Sequence, residues 1–454
     1  MSVELKPITI PDFGAAHQAP RIPAEIYEAR VRAAYAKAGT DWLVVYADRE
    51  HIAAITYLAG FEPRFEEAFL LLGPGDRRVL LTGNESESYA PLAGLPGLEV
   101  LVAQSLSLMG QDRSRFPRII DRFRDAGIKQ GDSIGLVGWK YLEAEEDEDL
   151  SDAFFVPAVH LAMLRRAVGE SGSVRDVTAV LFHPGHGLMA KLDADQLAVF
   201  EWAATRASLA VWRIVSGARE GDDEFRAAAR MGYAAEPLNV HTMLASASPG
   251  ETVIGLRSAN GRKIGRGDGI TTAVGMWGAL ASRAGLFDEE NGEFLKIASA
   301  YFEGLATWYD TADIGVAGGT LYEAVTAKLA EGNLRSALNP GHLTGYEEWT
   351  HSPVRPGSTE TLASGMAFQV DVIPVPMPGN WALNSEDPVF FADEALRAEL
   401  KAKHPETHAR IEARRAFVRD QIGITIKSNI LPLSSTPLCV PPFWLKSSHL
   451  LTKA

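Results

Sequence analysis

The sequence predicts an α+β protein of two domains, a mixed α/β domain followed by one whose strands form an antiparallel sheet. Three observations carry this. Helix and strand patterns alternate from Ala24 to Val137, which implies a mixed sheet with helices against it. A long apolar-striped helix at Asp193–Val215 then opens a second region of consecutive strand patterns. The length, 454 residues, suits two or three domains.

In the first region Pro23 opens a helix over Ala24–Lys37, rich in Ala, Glu and Arg. Trp42–Tyr46 is a buried-strand pattern. Ala68–Leu72 and Val79–Thr82, split by Gly73-Pro74-Gly75-Asp76, read as a hairpin. A strand at Leu98–Val102, a helix at Phe116–Ala126 and a strand at Ile134–Val137 follow. The acidic run 143–149 reads as a solvated turn. The pattern loosens into a linker around Gly169–Val174 and again at His183–Gly187, where His183 and His186 read as loop histidines.

After the long helix, the pattern predicts a helix at Glu224–Ala235 and strands at Val240–Ala245, Thr252–Leu256, Ile270–Trp277 and Ala279–Phe287. Helices over Glu293–Trp308 and Leu321–Glu331 come next. Segments around His342, Asp371 and Glu386 add strands, and a charged helix at Glu394–Asp420 precedes a Pro-rich tail.

Composition narrows the function. The chain is 46% hydrophobic, enough for a substantial core, and its net charge of −14 argues against nucleic-acid or anionic-membrane partners. A single cysteine, Cys439, excludes an intrachain disulfide and fits a reducing compartment. No apolar run reaches membrane-spanning length and the N-terminus lacks a signal-peptide core, so a cytoplasmic protein is expected. There is no G-x-S-x-G elbow, phosphate-binding P-loop or H-E-x-x-H helix. Gly265–Gly269 reads as a turn rather than a dinucleotide site.

What remains is a polar series: His342, His351, Asp371 and Glu386-Asp387. Asp371 lies in Phe368-Gln369-Val370-Asp371-Val372-Ile373, where an isolated buried charge costs several kcal/mol. It therefore needs a partner, a metal or a proton. Glu386-Asp387, ahead of Val389-Phe390-Phe391, poses the same problem. Two carboxylates and one or two histidines that converge are the makings of a hydrolytic or metal centre. Between Gly269 and Phe287 there is no further Asp or Glu.

These residues resemble the creatinase/aminopeptidase P group of the M24 family over nearly the whole chain. Arg30–Phe61 is similar to the creatinase-like N-terminal domain, and Asp193–Gly217 with Arg219-Glu220-Gly221 to the opening helix of the C-terminal domain. Gly267-Asp268 resembles the turn before the first metal-binding strand. Gly341-His342-x-x-Gly345 resembles the metal-ligand histidine motif, and His351-Ser352-Pro353 the substrate-side histidine. Gly365–Asp371 resembles the strand of a ligand glutamate, with Asp in its place, and Glu386-Asp387 the final Glu-Asp pair.

The resemblance implies an N-terminal domain over 1–175 and a C-terminal "pita-bread" domain over 190–454 with a curved antiparallel sheet. It also implies a hydrolase of a C–N bond in a small amide, guanidino or Xaa-Pro dipeptide-like substrate, and a homodimer. Metal-dependent members hold two ions with two Asp, one His and two Glu. Here Ala273 or a neighbour stands where the first Asp belongs, and Leu280–Arg283 near the second. No cofactor is therefore expected, or else a single divalent metal on His342, Asp371 and Glu386.

His342 and His351 are the expected proton-transfer or substrate-polarising groups, with Asp371 and Glu386 orienting them or binding a substrate cation. Arg257 and Arg283 are placed to fix a substrate carboxylate. His241 is either a stand-in for the creatinase catalytic histidine or a packed strand residue. Tyr346, Glu347 and Glu348 are expected at the pocket. Two rivals keep the fold: a catalytically silent ligand-binding homologue, and a mononuclear-metal aminopeptidase or lyase.

Overall fold

The computed structural model describes residues 3–454. They divide into two compact units, Ile22–Ala190 and Lys191–Ala454, the latter including the described residues up to Arg21. The expected 1–175 boundary is thus shifted at both ends. Strand β1 (Val3–Pro7) pairs antiparallel with the last strand, His449–Lys453, which draws the N-terminus into the C-terminal unit.

In the Ile22–Ala190 unit, α1 (Ala24–Ala38) is followed by β2 (Trp42–Ala47), α2 (Ala53–Ala59), β3 (Ala68–Gly73), β4 (Arg77–Thr82) and β5 (Glu99–Val102). Then come α3 (Ile119–Ala126), β6 (Ser133–Val137), α4 (Ala158–Val168), β7 (Ser173–Asp176) and α5 (Ala179–Phe182). The six strands lie in the order β5-β4-β3-β2-β6-β7. Strands β2 and β3 are buried along their whole length, which is why they read as unbroken apolar runs. Trp42, Val44, Phe69, Leu71, Phe123 and Leu164 form part of one core cluster of this unit.

Where β2 ends, the apolar run gives way to a polar cluster. The Tyr46 hydroxyl donates to Glu67 at 2.8 Å, and His160 Nε2 lies 2.9 Å from the same carboxylate. Asp48 accepts from the backbone N–H groups of Glu50 and His51 and lies 3.0 Å from the His51 ring. Burial pushes the Asp48 carboxyl up, but the His51 ring and the backbone donors outweigh it and hold it at about 2. An acid depressed on folding contributes its stability above its unfolded value, about 3.9, and loses it as pH falls through the folded value. Asp48→Asn should therefore flatten the acid limb of the thermal midpoint between about pH 4 and pH 2, followed by circular dichroism. An unchanged acid limb would remove this role.

The C-terminal unit continues with α6 (Ala194–Gly217), α7 (Glu224–Ala229), β8 (Met243–Ala247), β9 (Asp268–Met276) and β10 (Ala279–Phe287). Next are α8 (Gly292–Thr311), α9 (Gly318–Glu331), β11 (Arg335–Ser336), β12 (His342–Leu343), β13 (Ala367–Val372), β14 (Pro374–Val375) and β15 (Asn384–Phe391). Helices α10 (Glu394–Lys403) and α11 (Pro405–Phe417) precede β16 (Ile430–Pro432) and β17 (His449–Lys453). The curled main sheet is antiparallel throughout, in the order β12-β13-β15-β10-β9-β8, with β16 also on β15. One face, carrying Ile270, Val274, Met276, Ala281 and Phe287, packs in a core cluster with Ala203, Ala207, Val211 and Ile214 of α6. The tight β9–β10 turn depends on Gly278, with φ of 73°, where a Cβ would stand 2.0 Å from the Phe200 ring.

Several expected elements are shorter or absent. Thr252–Leu256 is not a strand: β8 ends the sheet, Gly255 interrupts the pattern, and Ile254 and Leu256 are exposed. The helix expected to Ala235 stops at Ala229, ahead of Gly232 at positive φ. The helix over Glu394–Asp420 breaks at His404-Pro405, where proline has no N–H for the preceding turn.

The helix-facing side of the sheet holds a buried ion pair. Arg283, 1% exposed, donates from Nη2 to both carboxylate oxygens of Asp387 at 2.9 Å. It also donates to the carbonyls of Cys439, Ser282, Glu386 and Thr436, at 2.6–3.0 Å. Asp387 also accepts from the Leu438 N–H. Removing one partner leaves the other charge buried and unmatched, at a cost of about 3–5 kcal/mol. Asp387→Ala should lower the urea midpoint of unfolding accordingly, and a wild-type midpoint would show that Arg283 is compensated elsewhere.

Candidate active site

Pairing register, not sequence proximity, assembles the site. Residues opposite each other in an antiparallel ladder share a face, as do residues two apart on one strand. Asp371 on β13 stands opposite Glu386 on β15, and Glu386 opposite Ser282 on β10. The row continues through Ala273 on β9 to Met243 on β8. His342, on the edge strand β12, is opposite Gln369, which shares the Asp371 face.

This row explains where charge ends. Asp371 and Glu386 occupy one half, whereas Ala273, Met243 and Leu280 form a small apolar cluster in the other. Ala273 and Ser282 carry no carboxylate, so the row does not fit a two-metal centre. His342, Asp371 and Glu386 do fit one cation: each has a ligand atom within 4.8 Å of the others', and all three residues are buried. Among the described residues, Asp371 Oδ1 and Glu386 Oε1 have no hydrogen-bond partner. Buried oxygens left so are ones that a bound cation would satisfy.

His342 is fixed from several directions. Its Nδ1 faces the Leu343 carbonyl at 3.1 Å, which turns Nε2 toward the acids. Nε2 lies 3.1 Å from Glu348 Oε1 and 3.8 Å from Glu386 Oε1, ion-pair distances without a well-directed hydrogen bond. The Trp349 ring stacks on the imidazole at 4.0 Å. Burial pulls His342 down, but the Glu348 and Glu386 carboxylates outweigh it and raise it to about 10. Burial lifts Asp371 to about 6, opposed by His342 and helped by Glu348. Burial and then the Asp371 charge push Glu386 well above the carboxylate range, against the opposing effect of His342.

Gln369 shows how the sheet tolerates a proline. Pro388, opposite it in β15, has no N–H to donate. The Leu280 carbonyl on the neighbouring β10 instead accepts from Gln369 Nε2 at 2.9 Å.

The other expected site residues are not on this row. Arg283 alternates with Ser282 and points to the helix-facing side, saturated by Asp387 and backbone carbonyls, so it does not hold a substrate carboxylate. Arg257 is committed to the buried Glu224 through two bonds of 2.7 and 2.9 Å. His241 is exposed, its Nε2 2.9 Å from the Leu256 carbonyl. It lies outside any strand, in the open segment that precedes β8. Tyr346 is buried, its hydroxyl bonded to Gln196 on α6 and its ring edge-on to Phe200 and Trp277. Half-buried His351 is held beside β12 by a bridge to Leu343, and its Nδ1 accepts from the Ser352 N–H at 2.8 Å. Trp349 is the site residue that the motifs did not single out, although it adjoins the flagged acids Glu347 and Glu348.

Neither a protein-family model nor a curated protein sequence matches the chain. Solved structures do. A prolidase from Pyrococcus horikoshii OT3 superposes with a TM-score of 0.62 at 16% identity, covering 80% of this chain and 95% of that one. An X-Pro aminopeptidase from Thermotoga maritima MSB8 gives 0.62 at 18% identity, covering 81% and 95%. An Xaa-Pro dipeptidase from Bacillus anthracis gives 0.60 at 17%, covering 82% and 96%. What is shared at these identities is the fold: this chain has the pita-bread architecture on which those proteins are built. No described helix is long and apolar enough to cross a membrane.

Gly341 sets the approach of His342. At φ of 120° a Cβ would lie 2.6 Å from the Phe368 ring and 2.9 Å from the Gln369 carbonyl. Gly341→Ala is expected to lower stability by about 1–3 kcal/mol, measured by thermal melting, and to shift the His342 ring resonances in NMR spectra. Unmoved resonances would show that the glycine does not position the imidazole.

Proposed function

We propose that the chain is a hydrolase of a C–N bond in a small amide, guanidino or Xaa-Pro dipeptide-like substrate, working without a two-metal clamp. The supporting observation is the convergence of His342, Asp371 and Glu386, with unpartnered buried oxygens, on a fold shared with prolidases and X-Pro aminopeptidases. His342 and His351 are the proton-transfer or carbonyl-polarising groups. Asp371 and Glu386 orient the histidines and receive a substrate amine. If one divalent ion binds, His342, Asp371 and Glu386 hold it, and it supplies Lewis-acid polarisation. A homodimer, expected from the family resemblance, and a cytoplasmic location, expected from the sequence, belong to the same reading.

The break in the acidic row at Ala273 and Ser282 favours one rival: a protein that binds such a ligand in the cleft without turning it over. Turnover of a panel of Xaa-Pro dipeptides, small amides and guanidines, before and after chelation, separates the two. His342→Ala and Glu386→Gln should each lower kcat/KM by about 10²-fold or more. Ligand binding that survives His342→Ala, with no turnover by wild type anywhere in the panel, would establish the silent binder instead.

A further inference from the structure

We infer that Glu348 is a fourth member of this centre, closing a site for one divalent cation over His342, Asp371 and Glu386. The inference rests on the catalytic reading of that site and adds to it a residue from outside the sheet. His342, Asp371 and Glu386 all stand on strands, whereas Glu348 lies in the loop between β12 and β13. Its Oε1 is 3.1 Å from His342 Nε2, the ring nitrogen that also faces Glu386 Oε1 at 3.8 Å.

Glu348 is not a loose surface acid. Its side chain is one quarter exposed, and the loop is folded back on β12. Leu343 N–H donates to the His351 carbonyl at 2.7 Å, Thr350 N–H to the Leu343 carbonyl at 3.1 Å, and Gly345 N–H to the Glu347 carbonyl at 2.9 Å. The next residue, Trp349, is stacked on His342.

Charge points the same way. His342 Nε2 faces the carboxylates of Glu348 and Glu386, and Glu386 stands opposite Asp371 in the ladder. Arg283, the cation nearest in the ladder, faces away and is bound to Asp387. The buried oxygens of Asp371 and Glu386 that accept no hydrogen bond are ones a divalent cation would satisfy. One ring nitrogen with several carboxylate oxygens is a donor set for Mn²⁺ or Zn²⁺. Glu348 then restores from the loop part of the charge that Ala273 and Ser282 do not provide from the floor.

The test is isothermal titration of the chelator-stripped full chain with Mn²⁺ and with Zn²⁺, comparing wild type, Glu348→Gln, Glu386→Gln and Glu251→Gln. The expected result is one equivalent bound by wild type and affinity weakened tenfold or more in Glu348→Gln and Glu386→Gln. Glu251→Gln, at an exposed acid on the β8–β9 loop, should match wild type, and melting curves confirm that each variant is folded. Wild-type protein that takes up neither ion overturns the inference. So does a Glu348→Gln variant that binds as tightly as wild type or more tightly, which would make Glu348 only the counter-ion of His342. Cleavage assays on the same samples keep the two readings apart. Turnover without metal uptake removes the cation site and leaves the hydrolase, whereas Glu348-dependent uptake without turnover does the reverse.

Discussion

Two carboxylates placed directly opposite each other on neighbouring strands, both almost out of reach of water, set the terms for the C-terminal unit. Asp371 and Glu386 repel each other, and burial makes each more costly to ionise. Such a pair persists only if something positive or donor-bearing faces it. His342 is the first such group, aimed by the Gly341 backbone and held flat against Trp349. The sheet, the β12–β13 loop and the glycine can all be understood as answers to the same electrostatic problem.

The answer is incomplete within the chain, and that is what gives the site its chemical character. A structural ion pair is closed: Arg283 and Asp387 saturate one another, and backbone groups take the remaining valences. The Asp371–Glu386–His342 group is open, with oxygens that accept no hydrogen bond among the described residues. An open, buried, acid-rich group in a fold shared with dipeptidases has the features of a place where a ligand supplies the missing partner.

Much of this was legible in the sequence. Apolar runs announced β2, β3 and β4, and the buried-strand settings of Asp371 and Glu386 implied the convergence with His342 that the register produces. What failed did so for definite reasons. Thr252–Leu256 has a strand's composition, but a strand needs a neighbour, and no pattern in one segment reveals whether a sheet has already ended. Arg257 and Arg283 looked available because a sequence does not show which acid will claim a guanidinium. For Arg283 a clue was present: Ser282-Arg283 and Glu386-Asp387 are both adjacent pairs in strands, so alternation must send one member of each to the opposite face. Trp349 carried no motif at all. Its place over His342 depends on a loop folding back on its own strand, a tertiary fact.

The same alternation has a consequence for how such a protein can change. On β10 and β15, the residues that anchor the sheet and those on the acidic face are interleaved one by one yet physically insulated by the thickness of the sheet. Arg283 clasps the Ser282 and Glu386 carbonyls from behind, whatever their side chains present in front. Front-face positions such as Ala273 and Ser282 are therefore open to substitution without disturbing the clasp. A lineage can dismantle one chemistry and try another on an intact frame, and the frame itself keeps no record of which chemistry came first.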